Sequence, residues 1–211
     1  MTFTMTNRTA RRVLPGAVAL ASLALATACG GSSSTAGKPG AGPGAPNAAS
    51  ASATGASAHN AADVAFATDM IPHHAQAVQM ADMALVKATD PEVKTLAAAI
   101  KGAQDPEIET MTGWLTDWNA PLPMTGMSMS SGNSMGMMSA GDMAQLDKAT
   151  GPMFDKIWVR MMTAHHQGAL TMAKSELANG QFADAKALAQ RIITSQSAEI
   201  TKMAAIAKRL G

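Results

Sequence analysis

The sequence predicts an all-α fold, a four-helix bundle built from two repeated helical hairpins behind a disordered N-terminal tether. Three observations carry this reading. The 211 residues are 47% hydrophobic but only 3% aromatic, with no Tyr and 18 Met. A sandwich or barrel draws on more β-branched and aromatic residues, whereas Ala and Met favour packed helices. The chain also repeats itself: Asp63–Met111 aligns on Asp155–Met203 without a gap, at an offset of 92 (155 − 63). Within each copy the apolar residues recur at spacings of three and four, the helical period.

Residues 1–28 read as an export signal. Arg8, Arg11 and Arg12 precede a short apolar run, Val13 to Leu25, interrupted by Pro15 and Gly16. The run is too short to span a bilayer, and the order of basic, apolar and small residues is that of a signal peptide. It ends in Leu25-Ala26-Thr27-Ala28-Cys29-Gly30, which resembles a bacterial lipobox in which Cys29 is lipidated and anchors the mature chain to the membrane. Ala26 stands where Leu is commonest. Cleavage after Ala28 without lipidation is the alternative, and Arg11-Arg12 leaves twin-arginine export open beside the general route. On either route the mature protein is expected outside the cytoplasmic membrane, anchored to its outer face or secreted.

Residues 29–61 are Gly, Ala, Ser, Thr and Pro with little apolar beyond Ala. Such a segment buries too little surface to offset its ordering entropy. It reads as a tether reaching on the order of 30 Å, with His59 as one of its residues. The single Cys excludes an internal disulfide and a CxxC redox pair. A net charge of +1 offers no basic field for nucleic acid. No P-loop, GxGxxG or GxSxG motif occurs.

The bundle is expected over residues 62–211. The first helix runs from about Ala62 to Lys87. Asp90 is placed as N-cap and Pro91 as first helical residue of a second helix to about Trp118. The seam of that helix is Val93, Ala97, Ile100, Gln104, Ile108, Met111 and Leu115. Asp142 to Lys148 forms a short helix. The second hairpin runs from about Pro152 to Asn179, stops at Gly180, and continues from about Phe182 to Arg209. Pro72 and Pro106 fall inside helices and predict kinks rather than breaks, because their repeat partners are Ala164 and Ala198. Two amphipathic hairpins bury their stripes most simply as four packed helices.

Met70, His73, Ala77 and Met80 share one helical face, and Met162, His165, Ala169 and Met172 repeat it. His74 and His166 lie about 100° further round. One Met stripe, or one inward His, is ordinary core. Two copies of a His-His pair, each flanked by Met, point to metal ligands instead. Imidazole suits Zn, Cu, Fe and Ni, and thioether selects Cu(I). A di-iron carboxylate site needs Glu-x-x-His, but Met70 and Met162 stand three residues before His73 and His165. Zinc fits four imidazoles and leaves the Met unexplained, so copper is the expected metal, with zinc and iron kept open. Gln104, Glu107, Gln196 and Glu199 are expected to orient the His rings or to satisfy one another.

The connector, residues 121–143, holds Met124, Met127, Met129, Met135, Met137 and Met138 among Gly and Ser. It has no helical stripe and reads as a flexible secondary copper site, with a plain low-complexity linker as the alternative. Trp158, two turns before His165, reads as packing.

The motifs Phe66-x3-Met70-Ile-Pro-His73-His74-x2-Ala77-x2-Met80-Ala81 and Met162-x2-His165-His166-Gln167-Gly168-Ala169-x2-Met172-Ala173 resemble the two signatures of the DUF305 family. Gln104-x2-Glu107-Ile108-x2-Met111 and its partner Gln196-x2-Glu199-Ile200-x2-Met203 match as well. The resemblance covers about Ala62 to Leu210. It implies a ferritin-like four-helix bundle and kinship with periplasmic or secreted copper-binding proteins of copper resistance, and it implies no catalysis.

The leading expectation is therefore an exported copper-binding protein for sequestration, tolerance or transfer. Its ligands would be His73, His74, His165 and His166 with Met70, Met80, Met162 and Met172. A copper-transfer partner and homo-oligomerisation are left open. The rivals are a ferritin-like metal oxidase and a structural or interaction domain whose His are core.

Overall fold

The computed structural model describes residues 58–123 and 135–211. The expected signal peptide, Cys29, most of the tether, and Met124, Met127 and Met129 lie outside the described residues. Among the described residues five helices follow in order: α1 (Ala61–Lys87), α2 (Pro91–Asp117), α3 (Ala140–Lys148), α4 (Gly151–Asn179) and α5 (Ala183–Leu210). The fold is all-α. The four long helices form the bundle, and α3 is a short helix before the second hairpin.

Each boundary has a local cause. Asn60 caps α1 by accepting from the amides of Ala62 and Asp63, and the Asp63 carboxylate accepts from the Asn60 amide at 2.6 Å. The tether therefore ends at this cap. His59 is more than a linker residue, since its ring stacks on Trp118 at 4.5 Å with 10° between the planes. Asp90 caps α2 through the amides of Glu92 and Val93, and Ser139 with Asp142 forms a capping box for α3. Helices α1 and α2 continue through Pro72 and Pro106 without a break.

Gly180 is not the left-handed stop that its position suggests. Its φ is −70°. A Cβ there would lie 2.1 Å from Glu176 Oε1 and 2.8 Å from Asp63 Oδ1. Two carboxyl groups fill the space a side chain would take there, and the backbone conformation makes no demand for glycine.

Helix α1 packs along α2, α4 along α5, and α1 against α4, while α2 and α5 touch little. Reciprocal caps tie the hairpins together. Asp63 of α1 accepts from the amides of Gln181 and Phe182 at 3.0 and 2.9 Å. Asp155 of α4 accepts from the amides of Thr89 and Asp90, both at 3.1 Å, and from the Thr89 hydroxyl. These partners are again 92 positions apart (181 − 89, 182 − 90). Asp63 and Asp155 are both buried, and each orders the turn of the opposite hairpin.

The apolar core is in two parts. One contains Met80, Met162, Trp158, Ile100 and Met203. The other contains Met70, Met172, Met111, Leu115 and Ile192. Trp158 is a packing residue whose indole N–H donates to the Met80 carbonyl at 2.9 Å. The His pairs belong to neither cluster and are buried in the same bundle.

Candidate metal centre

Helices α1 and α4 bring His73 and His165 face to face, with ring centroids 3.7 Å apart and planes tilted by 36°. All four paired His are buried, none more than 2% exposed. Burial first, and then the neighbouring His74, pushes the His73 pKa down to about 3, and burial holds His165 well below the usual imidazole range. Both rings are therefore neutral at physiological pH, which is the state that can ligate a metal.

The outer rings are held differently. His74 Nε2 donates to Glu107 Oε2 at 2.8 Å, and His166 Nε2 donates to Glu199 Oε2 at the same distance. His73 Nε2 donates to the Met135 carbonyl at 3.1 Å. A carboxylate or a carbonyl only accepts, so each of these bonds places a proton on Nε2; in a neutral ring, the state argued above for His73, the lone pair is then on Nδ1. The Nδ1 atoms of His73, His74 and His166 have no partner, and neither nitrogen of His165 has one. Gln104 Oε1 and Gln196 Oε1, on α2 and α5, are likewise buried and unpartnered. Apart from the two oxygens of Glu176, every buried side-chain N or O without a partner among the described residues belongs to these six residues.

The expected thioethers flank this layer. Met70 and Met172 lie in the one apolar cluster, Met80 and Met162 in the other, and all four are buried. This follows from helices that run in opposite directions past the His73–His165 contact. Of the expected orienting residues, the structure gives Glu107 and Glu199 a His each and leaves the Gln carbonyls free. In the connector, Met135 lines a cavity of about 330 Å³ between α1 and α4, beside Phe66, Asp69, Met172 and Glu176. Met138 packs on the core, and its amide and carbonyl both bond Gln76. Gln76 thus satisfies both backbone polar groups of Met138, while the Met135 side chain is exposed.

A family profile described as a domain of unknown function, DUF305, matches residues 63–207. This chain belongs to the DUF305 family. A candidate secreted DUF305 protein of Streptomyces coelicolor is 33% identical, with a TM-score of 0.65 over 71% of this chain and 92% of that one. CopM in its Cu(II)-bound form is 37% identical, with a TM-score of 0.63 over 71% of this chain and 97% of that one. Its Cu(I)-bound form is 36% identical, with a TM-score of 0.60 over 70% and 96%. No curated protein matches the chain.

Within this DUF305 bundle, no three of His, Cys, Asp and Glu converge among the described residues. The candidate donors near one another are imidazoles and thioethers, with no carboxylate cage among the described residues. Among the described residues no helix is long and apolar enough to cross a membrane. Two features of the site were missed by sequence reasoning. One is the Met135 carbonyl on His73, for which a backbone atom gives no sequence signal. The other is the Asp63/Asp155 capping pair, visible only as the first matched position of the repeat.

Proposed function

We propose that this DUF305 chain is an exported copper-binding protein that holds Cu(I) or Cu(II) at its His layer, for sequestration, tolerance or transfer. The observation that carries the reading is the set of fixed, unpartnered Nδ1 lone pairs on His73, His74 and His166 beside the wholly unpartnered His165. A buried polar group without a partner costs about 1–3 kcal/mol. Four such rings in one layer are expensive as mere packing and useful as ligands. The N–H groups of His73, His74 and His166 already donate to a carboxylate or a carbonyl, the arrangement that orients metal-bound imidazole and raises its basicity.

The flanking Met70, Met80, Met162 and Met172 favour the softer Cu(I). The copper-bound forms of CopM support copper as cargo. Zinc would use the imidazoles and leave the thioethers idle. No reaction is assigned: Glu107 and Glu199, the Glu pair that the repeat relates, are each committed to one His. Export is supported by the signal-like N-terminus and by the candidate secreted relative. A lipid anchor on Cys29 and a Cu(I)-collecting role for the connector Met belong to the same proposal.

The test is anaerobic Cu(I) titration of the purified protein against a chromophoric chelator. It is run beside a variant carrying His73→Ala, His74→Ala, His165→Ala and His166→Ala. The expected result is tight binding that the variant loses. Binding of wild-type strength in the variant would remove the His layer as the site. Failure of both proteins to compete would end the copper reading.

A further inference from the structure

Positions 76 and 168 are repeat partners (168 − 76 = 92) but carry Gln and Gly. Both hold the same piece of chain. Residues Met135–Ser139 return onto α1 and α4 just before α3. On the α1 side, Gln76 Nε2 donates to the Met138 carbonyl at 2.9 Å, and Gln76 Oε1 accepts from the Met138 amide at 2.7 Å. One side chain thus satisfies both backbone polar groups of Met138. On the α4 side, a Cβ at Gly168 would stand 1.4 Å from the Met135 carbonyl oxygen and 2.2 Å from its carbon. Gly136 has φ +80°, and a Cβ there would lie 2.4 Å from the Ala164 carbonyl. Gly is among the poorest helix formers, yet α4 carries one in mid-helix, and only that gap lets the strap come so close.

The strap ends on the His layer. Pressed into the Gly168 notch, the Met135 carbonyl accepts from His73 Nε2. His165, the repeat partner of His73, has no counterpart to this bond.

We infer that Met135–Met138, clasped by Gln76 and seated at Gly168, is a positioning element that locks His73 as the Nε2–H tautomer and makes the two inner His unequal. His73 presents Nδ1 alone. His165 is free to use either nitrogen. The ligand role of these rings rests on the proposed copper function; the tautomer lock does not. The connector thereby breaks, at one hydrogen bond, the symmetry that the repeat imposes on the site.

The lock is read in the full-length, metal-free protein from the ring ¹⁵N and N–H resonances of His73, comparing wild type with Gln76→Ala and Gly168→Ala. Wild type is expected to show a slowly exchanging Nε2–H on His73 and a lone-pair signature on its Nδ1. In both variants that proton should exchange rapidly and the tautomers mix. His74 and His166, held by Glu107 and Glu199, should keep their spectra. Cu(I) affinity should fall about tenfold, the lower end of the effect of losing an orienting partner. Ala at position 168 favours helix, so the fold is expected to survive; if it does not, Gln76→Ala decides. A slowly exchanging Nε2–H retained on His73 in the folded variants would overturn the inference. A changed tautomer in a protein that binds no copper would uphold the lock and remove the copper reading.

Discussion

An imidazole in a protein interior can settle its two nitrogens in two ways, as donor and acceptor to its surroundings, or with one left for a metal. His74 and His166 each give Nε2–H to a carboxylate of their own hairpin and have no partner at Nδ1, which suits the second arrangement in the proposed copper site. The consequence is testable at one residue. Glu107→Ala strands a buried N–H on His74 and should cost about 1–3 kcal/mol of stability in a urea melt. It should also weaken Cu(I) binding about 10- to 100-fold in chelator competition. Glu107→Gln keeps an acceptor oxygen and should lose much less of both. Equal affinity for wild type and Glu107→Ala would show that the carboxylate does not orient a ligand. The pairing of these residues was half legible in the sequence: the symmetry of Glu107 and Glu199 marked them, but only packing of α2 on α1 and α5 on α4 shows that each reaches a His.

At the scale of the elements, the turns carry the information that periodicity lacks. The helices, their order and most of their ends were legible, because apolar spacing, Asp90-Pro91 and Asn179-Gly180 are local signals. The role of Gly180 was not, because one of the two carboxyl groups against it, Asp63, comes from α1. Glu176 sits there, buried beside Asp63, and no backbone amide donates to it. Burial, followed by the hydrogen bond and charge of Asp63, raises its pKa to about 7, while Lys186 opposes the shift. Asp63 is held below its usual range by the amides of Asn60, Phe182 and Gln181 and by Glu176 itself, against the effect of burial. With Glu176 raised and Asp63 lowered, the first proton the pair takes up goes to Glu176, and only in that protonated form does Glu176 have Asp63 as an acceptor. The Asp155 end has Ala84 in the equivalent place (176 − 92) and lacks this feature.

The sign of the pH effect follows. The folded pKa of Glu176 lies above its unfolded value of 4.5. Its contribution is fully present below pH 4.5 and is lost as pH rises to about 7, at up to about 1.4 kcal/mol per pH unit. Glu176→Gln keeps a donor to Asp63 and cannot ionise. Its stability relative to wild type should rise between pH 4.5 and 7 and then level off, as read from urea midpoints at pH 4.5, 6 and 8. A difference that stays constant across that range would mean that Glu176 is ionised in the folded protein.

Across the whole molecule, the two apolar clusters and the polar layer divide the work. Met80, Trp158 and Ile100 on one side, and Met70, Met111 and Leu115 on the other, supply the burial that holds the bundle together. The His layer subtracts from that stability while it is unpartnered. Copper that binds only the folded chain would return stability by mass action, about 2.7 kcal/mol at a free concentration one hundred times Kd. The His–Met faces were legible in the sequence because the repeat doubled them. The face-to-face meeting of His73 with His165 and the strap across His73 were not, because both depend on how α1 and α4 cross.

The most direct test of the central claim is the ring ¹⁵N spectrum of the four buried His during anaerobic addition of Cu(I), which is diamagnetic. On loading, Nδ1 of His73, His74 and His166 should shift while their Nε2–H protons stay hydrogen-bonded to Met135, Glu107 and Glu199. A spectrum unchanged at saturating Cu(I), or one in which the Nε2–H protons of these rings are lost first, would contradict that claim.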